Sequence, residues 1–479
     1  MPGRVTPSTL PRTRAVLRHW TLVAWCATVP VACATVPPQP RPDPATTAQA
    51  FQSRRLENLL PDYPPASSGW NRAQWLNAAL TLNPQLAAAR ARATAVAAGE
   101  RTAAQLPNPT LNLFDEYVTA AAGGAAWLYG LSVDFLLQRP GERTRARRNA
   151  TLQTQAAQSD VAESIWQVRA ELRQALLDQV HADDETILLQ QLVTDRQGLL
   201  ASAKARADAG EIGATGIPPA TLELAAAQQR LDQALARGAD AQARLAAAVG
   251  VPASALGGVP LLWPQWADIA ALSPSLPDSL HEEALIARPD LVRTLREYDL
   301  AENALRSEVA RRWPAVHLEP GYAWDRGGVH ENQLNENLRD NELGLSMELP
   351  LFNRNEGPIG EAVARRELAG KHLEAVQAEL FGQMERAEFA WPRARQAWQN
   401  AAAAAVMAQR QNEAEQRALK AGASDRPSAL LAAAASVDAQ LLTLQAAYEA
   451  QLAFAALEDA YRRPLEGPEC ELALSWRTE

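Results

Sequence analysis

The sequence predicts a mainly α-helical chain with a small β part, built from one plan that is repeated twice. Two very long stretches carry almost no proline or glycine, which is typical of long helices. Segments with alternating apolar and polar residues precede each stretch, which indicates strands. Similar proline motifs stand at equal distances ahead of the strands in both halves, so the halves repeat each other.

The composition excludes several classes of protein. The chain has 479 residues and a formal net charge of −9. An acidic chain matches the phosphate backbone of nucleic acids poorly, so no nucleic-acid partner is expected. Cys26, Cys33 and Cys470 form no CxxC pair, the six histidines lack ligand spacing, and no Gly-rich phosphate loop is present. We therefore expect no catalytic site, no metal site and no cofactor.

The N-terminus has the pattern of an export signal. Four arginines between positions 4 and 18 precede the uncharged stretch 20–36, as in secretory signals. Residues 1–33 are therefore a predicted signal peptide. Val31-Ala32-Cys33 resembles the end of a lipoprotein signal and makes Cys33 a candidate lipid anchor; the alternative is an ordinary signal with an incidental cysteine. Residues 34–70 are rich in proline and are predicted to be an extended linker.

Two tetrapeptides mark the start of each repeat. Asn83-Pro84-Gln85-Leu86 places its proline 25 residues before Pro109, and Arg288-Pro289-Asp290-Leu291 places its proline 25 residues before Pro314. The intervals 87–106 and 292–313 contain strong helix formers and no proline, so each is predicted to be a helix. Each later proline ends the helix and admits an extended segment.

A strand pair is predicted after each of these helices. Residues 316–324, 345–349 and 131–135 alternate between apolar and polar or small side chains, and 111–117 does so more weakly. The intervening residues 119–126 and 325–341 are predicted loops. A period of two indicates a half-buried sheet. Its apolar face could meet lipid around a water-filled barrel, or it could pack inside a soluble protein.

A long helix and a returning helix are predicted to follow each strand pair. No proline lies between Pro140 and Pro218, and the matching run of the second half is 361–421, where Pro392 is expected to kink the helix or remove one hydrogen bond. Short turns at 210–219 and 422–427 precede return helices at 220–249 and 428–462. The predicted regions are the first repeat 71–250, a proline-rich connector 251–280, the second repeat 281–463, and a C-terminal tail 464–479.

This order of elements, stated twice after an export signal, resembles the TolC-like outer-membrane efflux factor family over about residues 70–463. The two tetrapeptides carry the resemblance together with 349–357, Leu-Pro-Leu-Phe-Asn-Arg-Asn-Glu-Gly, which is similar to the strand-to-helix junction of the heavy-metal efflux branch. The family implies a homotrimer in the outer membrane of a Gram-negative bacterium. Three chains would contribute four strands each to a 12-stranded β-barrel, and their coiled-coil hairpins would form a periplasmic tunnel.

The resemblance also implies partners and sites. The partners are outer-membrane lipid, a periplasmic adaptor protein and an inner-membrane pump. The adaptor is expected at the helix tips, and some family members carry acidic residues after the second tip, where this chain has 428–431, Ser-Ala-Leu-Leu, and no acidic gate is expected. The expected tip residues are Gly210, Gly213, Gly422, Ser424 and Asp425, and the expected lumen-facing residues are Asp134, His317, Glu319 and Glu348.

The predicted function is a passive exit duct in a tripartite efflux system, driven by the pump, for metal ions or small toxic compounds. A periplasmic coiled-coil adaptor or scaffold, or an outer-membrane duct for type I protein secretion, is the alternative, and an enzyme is the weaker rival. The acidic run Asp183-Asp184-Glu185 is interpreted as a solvated helix face rather than a metal site.

Overall fold

The computed structural model describes residues 40–60, 68–120, 124–256, 259–272, 274, 279–326, 339–467 and 469. The chain divides into two compact units, 1–51 and 52–479. The described part of the first unit holds most of the short helix α1, Pro44–Gln52. The second unit contains both predicted repeats.

Each repeat follows the predicted order of helix, strand pair, long helix and return helix. The short helix α2 (Leu56–Leu59) precedes the first repeat, which comprises α3 (Arg72–Leu82), α4 (Pro84–Ala103), β1 (Thr110–Ala120), β2 (Gly124–Leu137), α5 (Glu142–Asp208) and α6 (Ile217–Val249). The second comprises α7 (Ser279–Ala287), α8 (Pro289–Ala310), β3 (Val316–Arg326), β4 (Arg339–Met347), α9 (Glu356–Lys420) and α10 (Arg426–Tyr461). The mainly α fold with four strands is therefore confirmed.

The helices begin earlier than predicted because prolines lie inside their first turns. Pro84 and Pro289 are the first residues of α4 and α8, and Pro427 is the second residue of α10. The first turn of a helix has no internal partner for its N–H groups, so proline loses nothing there. The prolines thus start these helices instead of preceding them.

The two long helices are nearly equal in length. α5 has 67 residues and α9 has 65, which corresponds to roughly 100 Å each at 1.5 Å per residue. Pro392 lies inside α9 and does not end it. Because proline has no N–H, one backbone hydrogen bond is missing at this point.

α5 is the central helix of the second unit. It packs against α3, α4, α6, α8 and α10, whereas α9 packs against α8 and α10. Many of the contact positions are alanines, which let helix backbones approach closely; Ala234, Ala434, Ala447 and Ala450 are fully buried. α10 has the length and hydropathy of a membrane span, but it lies in this bundle against α5 and α9.

The segment predicted as an extended linker is partly helical. α1 and α2 lie within 34–70, and Leu56 and Leu60 are buried in the same apolar cluster as Trp75 and Val249. Burial of two leucines stabilises a local helix that proline content alone argues against. The expectation of an extended chain over the whole of 34–70 is therefore wrong.

The connector and the C-terminal tail also contribute to the core. Trp266 of the connector is 3% exposed and packs with Phe454 and Tyr461 of α10. Glu469 of the tail lies 2.7 Å from Nη2 of the buried Arg169. Sequence pattern shows neither contact, since both join residues that are far apart in the chain.

The four strands form one antiparallel sheet in the order β1-β2-β3-β4. The strands reach further into the predicted loops than expected: β1 ends at Ala120 and β2 begins at Gly124, while β3 ends at Arg326 and β4 begins at Arg339. β4 ends at Met347, so Glu348 and Leu349 lie beyond it. Leu349 precedes Pro350, and the N–H of Leu351 donates to the carbonyl of Leu349 at 2.8 Å, which forms a tight turn after the strand.

Candidate conduction pathway

The strand register separates the sheet into two faces. Residues opposite one another in neighbouring antiparallel strands point to the same side. Asn112 pairs with Ser132, Ser132 with Gly321, and Gly321 with Glu342, so one polar row crosses all four strands. The polar face carries Thr110, Asn112, Glu116, Ser132, Asp134, His317, Glu319, Asp340, Glu342 and Ser346.

The opposite face is apolar over the part nearer the helices and is uncovered; its remote end also carries Asp115, Asn341 and Arg339. Leu343 is 74% exposed and Leu345 is 67% exposed, although both lie in a regular strand. A contiguous exposed apolar surface of this kind marks contact with lipid or a partner. The face comprises Leu111, Leu113, Leu131, Val133, Phe135, Leu137, Val316, Leu318, Leu343, Leu345 and Met347.

Aromatic rings collect at the end of this apolar face that is remote from the helices. The Trp324 ring lies 6.0 Å from the Tyr129 ring and 5.9 Å from the Tyr322 ring. Aromatic rings at the edge of an apolar band are typical of the membrane–water interface. Tyr129 joins the two rings of β3 through the β2–β3 register, which places it opposite Trp324.

Three of the four predicted lumen residues lie together on the polar face. Nδ1 of His317 lies 3.0 Å from Oδ1 of Asp134. Glu319 accepts hydrogen bonds from Asn112 Nδ2, at 3.1 Å, and from the hydroxyl of Ser132. The network therefore joins β1, β2 and β3 across one face.

Glu348 is the predicted lumen residue that the structure does not bring to this network, because it follows the end of β4. Three further carboxylates that were not predicted from the sequence share the polar face: Glu116, Asp340 and Glu342. The alternation of β4 would have shown the last two if it had been followed back to Arg339. Among the described strand residues, the polar face carries no lysine or arginine.

Gly130 has no side chain, and this leaves room for the ring of Phe114 on the polar face. A Cβ at Gly130 would lie 2.1 Å from Cζ of Phe114, which is far inside van der Waals contact. The two residues are opposite each other in the register of β1 and β2. The ring thus covers the bare backbone, an arrangement that stabilises glycines within strands.

Glycines end the long helices at the predicted tips. Gly210 and Gly422 have φ values of +77° and +72°, a left-handed conformation that glycine adopts readily and that stops the helix. A short 3₁₀ turn, Ala214–Gly216, follows Gly213 and leads into α6. The tips are thus compact turns at the end of each hairpin.

Ser424 and Asp425 have structural roles at the second tip. Ser424 Oγ donates to Glu415 Oε2 at 2.9 Å, and Asp425 Oδ1 accepts from the Ser428 N–H at 2.9 Å. Asp425 is therefore the N-cap of α10. Hydrogen bonding by Ser428 to the carboxylate holds the pKa of Asp425 below its ordinary value.

An ion-pair brace joins the two helix hairpins between the tips and the middle of the bundle. Asp438 of α10 accepts from Arg230 of α6 at 3.1 Å and from Arg196 of α5 at 3.4 Å. Arg196 also pairs with Glu223 of α6. One carboxylate therefore links the second hairpin to both legs of the first, a contact that no local sequence pattern indicates.

The acidic run of α5 is engaged by other elements. Asp184 accepts from the indole N–H of Trp266 at 2.8 Å, and Glu185 accepts from Arg237 at 2.6 Å. Asp183 accepts from Gln179 at 2.9 Å. The interpretation as a purely solvated face was therefore wrong for Asp184 and Glu185, and no group of three metal-ligating side chains occurs among the described residues.

A buried charged cluster anchors the C-terminal residues of the second repeat. Arg169 Nη2 lies 2.7 Å from Glu458 Oε2, and Arg173 pairs with the same carboxylate. Burial, together with the charge of Arg169, lowers the pKa of Arg173 to about 9.

The predicted lipid anchor Cys33 lies outside the described residues, as do Cys26 and Cys470.

Comparison with known proteins places this architecture among outer-membrane channels. Residues 280–461 match the family model described as outer membrane efflux protein. The cobalt-zinc-cadmium resistance protein CzcC of Cupriavidus metallidurans is 25% identical over 338 residues, which cover 66% of this chain and 72% of CzcC.

Two solved structures share the fold. The outer-membrane channel OprN superposes with a TM-score of 0.67 at 18% identity and covers 88% of this chain and 98% of its own. The channel CusC superposes with a TM-score of 0.65 at 16% identity and covers 90% of this chain and 99% of its own. Both likenesses are likenesses of fold.

Proposed function

Because the chain belongs to the outer membrane efflux protein family, we propose that it is the exit duct of a tripartite efflux system that expels metal ions or small toxic compounds. The observation that carries the proposal is the two-faced sheet: an exposed apolar face and an acidic polar face occur on the same four strands. Proteins of this family are transport ducts, so the proposal includes no catalytic site.

A homotrimer would give the sheet a closed form. Four strands leave β1 and β4 as edges, and an open edge within a bilayer would carry unsatisfied backbone groups. Three copies would join β4 of one chain to β1 of the next and make 12 strands. The apolar faces would then meet lipid, and the polar faces would line water.

The lining charge favours cations. Each chain would contribute Glu116, Asp134, Glu319, Asp340 and Glu342 to the lumen, with His317 as the one basic group among the described residues of that face. Rings of carboxylates in a pore attract cations and repel anions. The likeness to a cobalt-zinc-cadmium resistance protein supports divalent metal ions as the substrate class.

Conduction itself would be passive, and the inner-membrane pump would supply the energy. A periplasmic adaptor would dock at the tips formed by Gly210, Gly213, Gly422, Ser424 and Asp425. Opening would move the hairpin α9–α10 relative to α5–α6, and the brace at Asp438 opposes this movement. Lipidation at Cys33 would add a second attachment to the outer membrane, and fatty-acid labelling that persists in Cys33→Ser would contradict it.

The proposal can be tested in a bacterial strain that lacks this gene. The wild-type gene should restore growth on cobalt, zinc or cadmium, and the protein should fractionate with the outer membrane as a crosslinked three-chain band. A soluble periplasmic protein would instead indicate an adaptor or scaffold. Loss of a secreted protein without metal sensitivity would indicate a type I secretion duct.

The charge of the lumen can be tested in planar bilayers. The reversal potential under a KCl gradient should indicate cation preference in the wild type, and Glu319→Gln combined with Asp134→Asn should reduce it. Asp115→Asn is the matched control, because it removes a carboxylate from the opposite face of β1. An equal loss of preference in the control would contradict the assignment of the faces.

A further inference from the structure

The junction between the sheet and the helices is strongly basic in a chain that is acidic overall. Residues 139–148 and 306–312 contain eight arginines and two glutamates, whereas the whole chain has a net charge of −9. The first segment begins α5 directly after β2, and the second ends α8 directly before β3. The positive charge is therefore concentrated at one level of the molecule.

A cleft of about 310 Å³ lies between these two segments. Three arginines line it, Arg139, Arg145 and Arg311, together with Glu142 and Glu308. Glu142 pairs with Arg139, and Glu308 pairs with Arg311. The lining therefore keeps a net positive charge, and Arg145 has no carboxylate partner among the described residues.

Arg145 lies in the cleft with one of its side-chain donors, Nε, not used in a hydrogen bond within the described residues. Its Nη1 donates to the carbonyl of Pro140 at 3.2 Å, but its Nε is buried and has no partner in the described part of the chain. Gly141, with a φ of +75°, makes this position possible, since a Cβ there would lie 2.8 Å from Nη1 of Arg145. An unsatisfied buried donor on a guanidinium is suited to an oxyanion.

The cleft lies immediately beyond the end of the apolar face. Leu137 and Val316 form the last pair between β2 and β3, and Arg139 Nε donates to the carbonyl of Trp313 at 2.6 Å. Trp313 is 70% exposed. From Val316 to Trp324 the apolar face extends about 26 Å along the strand at 3.3 Å per residue, close to the height of the lipid-facing band of barrels. The cleft thus falls at headgroup depth on the periplasmic side.

We propose that this cleft binds the phosphate of an anionic phospholipid from the periplasmic leaflet of the outer membrane. Arg139, Arg145 and Arg311 would contact the phosphate, and the acyl chains would lie along the apolar face of β2 and β3. The cleft adjoins the helix-side ends of β2 and β3, the two inner strands, and not the edge strands β1 and β4 through which chains would pair. Each chain carries one such site.

Native mass spectrometry of the delipidated, detergent-solubilised protein tests the proposal, with phosphatidylglycerol, phosphatidylcholine and inorganic phosphate as probes. The wild type should bind up to one phosphatidylglycerol per chain, more tightly than phosphatidylcholine, and millimolar phosphate should not displace it. Arg145→Gln combined with Arg311→Gln should weaken phosphatidylglycerol binding about tenfold or more. The matched control is Arg410→Gln, an exposed arginine far along α9, which should bind as the wild type does.

The same spectra report assembly, so a folding defect is visible as a changed oligomer mass. Should the double variant misassemble, Ala146→Trp fills the cleft without removing charge and should also weaken binding. Equal binding by assembled variants and wild type would overturn the proposal, as would no lipid adduct on the wild type. Displacement by inorganic phosphate would assign the cleft to a soluble anion. Efflux is not the readout, so failure here leaves the exit-duct proposal standing.

Discussion

Asn83 and Arg288 make the same long-range contact in the two repeats. Nδ2 of Asn83 donates to the carbonyl of Ala248 at 2.8 Å, and Nη1 of Arg288 donates to the carbonyl of Ala460. Each acceptor is the second-to-last residue of its return helix. Different side chains thus tie the start of the helix that precedes each strand pair, α4 or α8, to the end of the return helix.

Replacement of Asn83 should destabilise the first repeat. Asn83→Ala removes the donor to Ala248 and also the cap that accepts from the N–H groups of Gln85 and Leu86. We expect a loss of about 1–3 kcal/mol in the free energy of unfolding. Thermal unfolding of the purified protein measures it, with the exposed Asn77→Ala as control; equal unfolding temperatures for the two variants would contradict the role.

Replacement of Arg288 should destabilise the protein more than replacement of Asn83, because it leaves the carboxylate of Asp290 without its ion-pair partner. Burial raises the pKa of Asp290, but the hydrogen bonds and charge of Arg288 outweigh this, and the net pKa lies below its ordinary value. Arg288→Met should lower the unfolding temperature further than Asn83→Ala does. The double change Arg288→Met with Asp290→Asn should recover part of the loss, and no recovery would mean that the pair is energetically unimportant.

Gly130 and Phe114 should be coupled in barrel assembly. Gly130→Ala places a Cβ against the ring of Phe114, so we expect fewer assembled oligomers in the outer membrane. Phe114→Ala in the same chain should restore assembly by opening the space. Gel electrophoresis of unheated membrane samples measures the oligomer. A Gly130→Ala protein that assembles normally would show that the ring of Phe114 can move aside without loss of stability.

The brace at Asp438 should restrain the periplasmic end. Asp438→Asn weakens the contacts with Arg196 and Arg230, so we expect higher single-channel conductance or a larger open fraction in planar bilayers. Asp232→Asn, an exposed position on α6, is the control. Indistinguishable conductance for wild type and Asp438→Asn would remove the brace from the opening mechanism.

His181 should make stability depend on pH. Burial lowers the pKa of His181 in the folded protein, and the positive charge of Arg237 lowers it further. The negative charges of Glu185, Asp178 and Asp184 raise the pKa but do not outweigh these two effects. The unfolded chain therefore binds the proton first as the pH falls, so stability is present above pH 6.5 and is lost as the pH falls below it. The ring also contacts Trp266 and Tyr448.

Thermal unfolding at pH 7.5 and pH 5.5 checks this pH dependence. His181→Gln should reduce the difference between the two temperatures, whereas His372→Gln, on the exposed side of α9, should leave it unchanged. A His181 variant with the same pH dependence as the wild type would assign the effect to other groups.

Local patterns in the sequence predicted most of the fold because the elements are long and regular. Alternation predicted β3, and the proline motifs predicted α4 and α8. Helix starts were placed too late, since proline was taken as a boundary and not as a first-turn residue. Glu348 was assigned to β4, but the strand ends at Met347, three residues before Pro350.

The interactions that no local sequence pattern predicts join residues far apart in the chain. Arg169 meets Glu458 and Glu469, and Asp438 meets Arg196 and Arg230. In each case the sequence around these residues has the pattern of an ordinary charged helix face. Only the packing of α5 against α10 and the return of the C-terminal residues bring these charges together, and no periodicity in the sequence encodes that.

The near-equal lengths of α5 and α9 constrain how such a protein can change in length. The helices differ by two residues, about 3 Å in roughly 100 Å. A deletion of one heptad from α5 alone would withdraw the first tip by about 10 Å from the level of the second and shift every contact with α10. Insertions and deletions should therefore be tolerated only when all four long helical legs gain or lose the same number of turns.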